Sequence, residues 1–107
     1  KWKMKSQKMI NLVTICRKAN KLVSGFDAVK EAVVSSNASC VLTASDISPK
    51  TLKEINFFCQ NSGVPVIPTG IESAEIHFAV GKKAVVMGVN DSGFARKFIE
   101  LSKENGK

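Results

Sequence analysis

The sequence predicts an α/β protein: a three-layer α/β/α sandwich around a small mixed sheet, forming a single domain over residues 1–107. Three observations predict it. The 107 residues suffice for one hydrophobic core and not for a second. A composition of 44% hydrophobic and 23% charged residues is that of a folded globular chain. Along the chain, segments with helical spacing of apolar residues alternate with short, nearly continuous apolar runs, the pattern of helices layered on a sheet. No linker, internal repeat or low-complexity tract interrupts it.

Met9, Leu12, Val13, Cys16 and Ala19 recur at helical spacing, interleaved with Arg17, Lys18 and Lys21, and predict an amphipathic first helix with a basic edge. Asn20 is its stop. Residues 1–8 form a basic lead, read as a flexible arm. At Ser24-Gly25-Phe26-Asp27 a second helix opens, with Ser24 as its cap, Asp27 in its first turn, and Ala28, Val29, Ala32 and Val33 as its apolar face. Ala38 to Ala44 reads as a strand buried on both faces. Ser48 then caps a third helix with Pro49 in its first position, lined by Leu52, Ile55, Phe58 and Cys59 and ended by Asn61-Ser62-Gly63. Val64 to Pro68 is a short strand whose prolines restrict its pairing. A fourth helix over 72–80 ends at Gly81, and Ala84 to Val89 follows as another buried strand. Asn90-Asp91-Ser92-Gly93 caps a last helix carrying Phe94, Ala95, Phe98, Ile99 and Leu101.

Charge narrows the function. Sixteen Lys and Arg against nine Asp and Glu give a net charge of +7 and a pI near 9.5, a field that attracts polyanions. Cys16, Cys40 and Cys59 are odd in number, far apart and set in apolar runs, so they are read as buried thiols in a reducing cytoplasm. With no Cys-x-x-Cys pair and a single histidine, His77, a zinc site has no ligand set. The basic start lacks the apolar stretch that a signal peptide requires, and no segment is apolar over the roughly 20 residues needed to span a bilayer.

Catalysis lacks its parts. His77 stands between Ile76 and Phe78 as a structural or surface residue, the thiols sit where burial makes them inert, and Glu72, Glu75 and Asp46 form no acid/base pair. Neither glycine-rich phosphate-binding motif occurs, and no cofactor or metal is expected. Two basic elements remain. One is the Ser24-Gly25 opening of the second helix, where free backbone N–H groups and a positive dipole end lie near Arg17, Lys18, Lys21 and Lys30 in sequence. The other is Gly81-Lys82-Lys83. In a sandwich such loops can share one edge and make a basic rim suited to phosphates and bent RNA. Phe26 has two readings here, a platform for a splayed base or a core staple at the helix entry.

At these residues the chain resembles the kink-turn-binding ribosomal proteins of the archaeal L-seven-Ae and eukaryotic L-thirty-e type, with the small bacterial members as the nearest likeness. The carriers are Leu12-Val13-Thr14-Ile15-Cys16-Arg17-Lys18-Ala19-Asn20-Lys21-Leu22-Val23-Ser24-Gly25, then Leu42-Thr43-Ala44-Ser45-Asp46 and Val64-Pro65-Val66-Ile67. The similarity runs from about Met9 to Leu101. It implies the same sandwich and the binding of a sharply kinked RNA through a Gly-x-Asn-Glu helix start, a nearby lysine and the loop after the fourth helix. Of these, Gly25 and Gly81 match, whereas Asp27 and Ala28 stand at the Asn and Glu positions and Glu31 at the lysine position. An amide donor thereby becomes an acceptor, and a phosphate-binding cation becomes an anion, leaving backbone donors and lysines to hold phosphates.

The expected function is therefore binding of structured, kink-turn-like or ribosomal RNA by a monomeric cytoplasmic protein, without membrane contact or catalysis. The expected RNA-binding residues are Arg17, Lys18, Lys21, Ser24, Gly25, Phe26, Asp27, Lys30, Gly81, Lys82 and Lys83. The alternative is a protein-interaction adaptor that keeps the fold while its RNA specificity is lost. A third reading, the RNA-targeting part of an enzyme, finds no room for a catalytic half.

Overall fold

A computed structural model describes the backbone of residues 2–105 and the side chains of residues 7–103. Among these the chain runs α1 (Trp2–Lys18), β1 (Leu22–Ser24), α2 (Phe26–Val34), β2 (Cys40–Thr43), α3 (Pro49–Ser62), β3 (Val66–Pro68), α4 (Ser73–Val80), β4 (Val86–Val89) and α5 (Ser92–Asn105). Of the basic lead over 1–8, Lys1 lies outside the described residues, as do the side chains before Gln7. The backbone from 2 to 8 continues α1.

The strands lie in the order β1-β4-β2-β3. β4 pairs antiparallel with both β1 and β2, while β2 and β3 are parallel, so the sheet is mixed. β1 and β2 thus run the same way with β4 between them, and α2 makes the crossover that this requires. α3 makes the next one, between β2 and β3.

Side-chain alternation along the strands builds two cores. Cys40, Leu42, Met87, Val89 and Ile67 pack with Met9, Val13, Cys16, Ile76, Val80, Ala95 and Phe98 on the α1/α4/α5 side. Val41 and Val86 pack with Val29, Ala32, Val33, Ile55, Phe58 and Cys59 on the α2/α3 side. Leu42, Ile55 and Phe98 are fully buried, and each such side chain contributes about 1.5–3 kcal/mol by leaving water. At Gly88 an added Cβ would meet Val23 Cγ2 at 3.0 Å and Val29 Cγ2 at 3.7 Å. The missing side chain lets α2 approach the sheet closely.

The local start and stop signals are realised at α3. Ser48 accepts from the Thr51 N–H at 3.2 Å, Pro49 opens the helix, and Gly63 closes it at φ 72°. Asp91 caps α5 by accepting from the Phe94 N–H at 2.9 Å. One of the expected caps needs correction. Ser24 does not cap α2: it belongs to β1, and the N-cap is Gly25, without a side-chain cap. β1 is an element that periodicity does not predict, because three residues carry no period and the strand exists only through its pairing with β4.

Candidate functional site

The basic elements meet at the β1 edge of the sheet. α1 ends at Lys18, and Asn20 just beyond it turns the chain with a φ of 61° while its N–H donates to Arg17 O at 2.9 Å and the Lys21 N–H donates to Cys16 O at 3.0 Å. This reversal sends Leu22–Ser24 along β4 and leaves Arg17 and Lys18 in the last turn of α1, where cations complement the helix dipole. α4, packed against α1, ends beside them at Gly81 (φ 83°), whose N–H donates to His77 O at 2.8 Å. A Cβ on Gly81 would lie 3.6 Å from Arg17 Nη2, so the guanidinium rests over the end of α4.

The opposite wall is the start of α2. The Gly25 N–H donates to Val86 O at 3.0 Å, and its own φ of 97° with ψ of 153° is backbone that side-chain-bearing residues rarely adopt. With no side-chain cap on α2, its first-turn N–H groups have no side-chain acceptor at the positive dipole end. Between the walls runs an open groove of about 760 Å³ lined by Arg17, Lys18, Ser24, Ala28, Gly81 and Lys82, together with Asn20, Leu22, Val23 and Val80. Cations on one side and free backbone donors on the other make it complementary to phosphates.

Five of the expected residues line this groove: Arg17, Lys18, Ser24, Gly81 and Lys82. Gly25 supplies its geometry through the α2 start. Lys21 and Asp27 are exposed beside it without lining it. Of the consecutive lysines, Lys82 lines the groove and Lys83 does not. Phe26 and Lys30 lie elsewhere, in a groove between α2 and α3. The Phe26 ring meets Phe58 of α3 edge to face at 5.8 Å and 75°, so it packs between the two helices instead of facing the β1-edge groove. Asn20, Leu22, Val23, Ala28 and Val80 escaped the sequence reading. Two of them carried a signal: Asn20 as the stop after α1, and Ala28 as the position where the resemblance implies a glutamate.

Elsewhere the chemistry is structural. Burial pushes the thiols of Cys16 and Cys59 up to about 11 and that of Cys40 to about 12. His77 is exposed, edge to face with Phe78. Asp46 accepts from the Ser73 N–H at 2.9 Å and the Ser73 Oγ–H at 2.6 Å, which holds its carboxyl below the usual range. Among the described residues no group of three or more His, Cys, Asp or Glu side chains is arranged to hold a metal, and no helix is long and apolar enough to cross a membrane.

Residues 7–99 match the model of the ribosomal protein L7Ae/L30e/S12e/Gadd45 family. The RNA-binding protein YlxQ of Bacillus subtilis is 35% identical over 100 residues, covering 92% of this chain and 98% of that one. Its namesake in Enterococcus faecium is 34% identical over 95 residues, covering 89% and 91%. Among solved structures, a Bacillus halodurans protein of unknown function superposes with a TM-score of 0.84 at 31% identity, covering 90% of this chain and 97% of that one. A Giardia lamblia 15.5 kD RNA-binding protein superposes at 0.75 with 18% identity, covering 94% and 87%, a likeness of fold alone.

Proposed function

The chain belongs to the ribosomal protein L7Ae/L30e/S12e/Gadd45 family, and from that premise we propose that it is a non-catalytic RNA-binding protein that grips structured RNA in the groove along its β1 edge. The observation that carries the reading is the convergence of Arg17, Lys18 and Lys82 with the uncapped start of α2 in one groove. Phosphates of a bent backbone would lie between the cations and the first-turn N–H groups, and the YlxQ relatives, named for RNA binding, favour RNA over a protein-only adaptor. Ala28 lines the groove at the position where the family resemblance implies a glutamate, and Asp27 replaces the amide beside it. Base reading is therefore reduced, and the backbone contacts govern affinity. In this reading the protein acts as a cytoplasmic monomer on kink-turn-like RNA, ribosomal RNA included.

The test is a gel-shift titration of a kink-turn RNA against a straight duplex of equal length, with wild type, Arg17→Glu and Lys82→Glu. The expected result is tighter binding of the kinked RNA and a loss of about tenfold or more in each variant. No binding to either RNA, or variants that bind like wild type, would overturn the proposal.

A further inference from the structure

The groove between α2 and α3 lies just across α2 from the proposed phosphate groove, and the two share no lining residue. It encloses about 390 Å³ between Phe26 and Lys30 of α2 and Lys53, Glu54, Phe57 and Phe58 of α3. Phe58 is buried and held edge to face by Phe26, so these two rings form the floor. Phe57 is different: it is 69% exposed and contributes nothing to either core. One turn before it on the same helix face stands Lys53, and Lys30 faces them from α2. An exposed ring costs solvation free energy, which a partner covering it would recover.

We infer that this groove receives one unpaired nucleotide of the bound RNA, its base stacked on Phe57 and its phosphates held by Lys30 and Lys53. The inference rests on the RNA-binding reading and extends it to a second contact. Two features select a nucleotide as the occupant. Its chemistry is half apolar π-face and half anion, matching a ring rimmed by two ammonium groups against a single carboxylate, Glu54. The groove also adjoins the α2 start, so a strand leaving the phosphate groove over Gly25 and Phe26 enters it directly. Stacking on a π-face is tolerant of base identity, which suits a site where groups that read base edges are few.

The experiment compares one hairpin RNA with and without a five-nucleotide single-stranded overhang, at either end, binding to wild type, Phe57→Ala and Phe57→Trp. Because Phe57 is exposed, truncation leaves the core intact, and circular dichroism checks it. The overhang is expected to tighten wild-type binding about tenfold, Phe57→Ala to lose that gain while binding the blunt hairpin as wild type does, and Phe57→Trp to keep it. Wild type that binds both RNAs equally overturns the second contact and leaves the phosphate groove standing. Wild type that binds neither overturns both. A Phe57→Ala protein that keeps the overhang gain but loses a stoichiometric protein partner assigns the groove to protein docking and overturns the inference as well.

Discussion

Cys40 has no exposed surface, and the neighbouring Cys16 adds to the burial that raises its thiol to about 12. Unfolded thiols ionise near the ordinary 9.0, so the folded state, which disfavours thiolate, holds this stability in full below pH 9 and loses it as pH rises through the folded values of about 11 to 12. Two outcomes follow. At pH 8 the native thiols should react with an aromatic disulfide reagent only as fast as the molecule unfolds, and rapid native labelling would contradict the burial. In denaturant melts between pH 9 and 12, Cys40→Ala should lose less stability than wild type over the same interval; parallel curves would refute the linkage.

At the scale of elements, the side-chain caps of α3 and α4 have different ranges. Ser48 caps α3 from the adjacent residue, and Ser48→Ala should cost about 1 kcal/mol in denaturant unfolding. α4 has no side-chain cap from its own N-cap residue, Glu72. Its first turn is instead bound by Asp46, reaching across from the segment after β2 to the N–H and hydroxyl of Ser73. These two hydrogen bonds, and more weakly Lys83, keep Asp46 ionised. Its contribution is present above the ordinary carboxylate value of 3.8 and lost as pH falls through the depressed folded value. Asp46→Ala should therefore lower Tm near neutral pH, with the gap to wild type closing in acid. A gap that persists at low pH would show that the carboxylate charge plays no part.

For the whole molecule the deciding quantity is where the charge of +7 collects. The sandwich brings the C-terminal ends of α1 and α4 to one edge with Arg17, Lys18 and Lys82, and sets the N-terminal end of α2 opposite. A phosphate held there releases counterions, so the RNA affinity of the wild type should fall linearly on a log–log plot against salt. With the blunt hairpin, Lys82→Glu should reduce that slope by about one unit, whereas Phe57→Ala should leave it unchanged. A slope near zero in the wild type would remove the electrostatic basis of the proposed interface.

Much of this was legible in the sequence by itself. Helix and strand differ in the period of their apolar residues, and stops such as Gly63 and Gly81 act through backbone freedom at one position, so both signals are local. The α/β/α order, the buried strands Cys40–Thr43 and Val86–Val89, and the basic pair of loops follow from such signals. What local signals cannot carry is which distant segments meet. β1 is three residues long and becomes a strand only because β4 offers its edge, which takes Ser24 out of the capping role and gives the α2 start to Gly25. The same tertiary choice lays Arg17 over Gly81, puts Lys82 but not Lys83 on the groove, brings Asp46 to Ser73, and draws Phe26 onto Phe58 and out of the phosphate groove. The Arg17–Gly81, Asp46–Ser73 and Phe26–Phe58 contacts join residues far apart in the chain, whose closeness is decided by how two helical layers pack on one sheet.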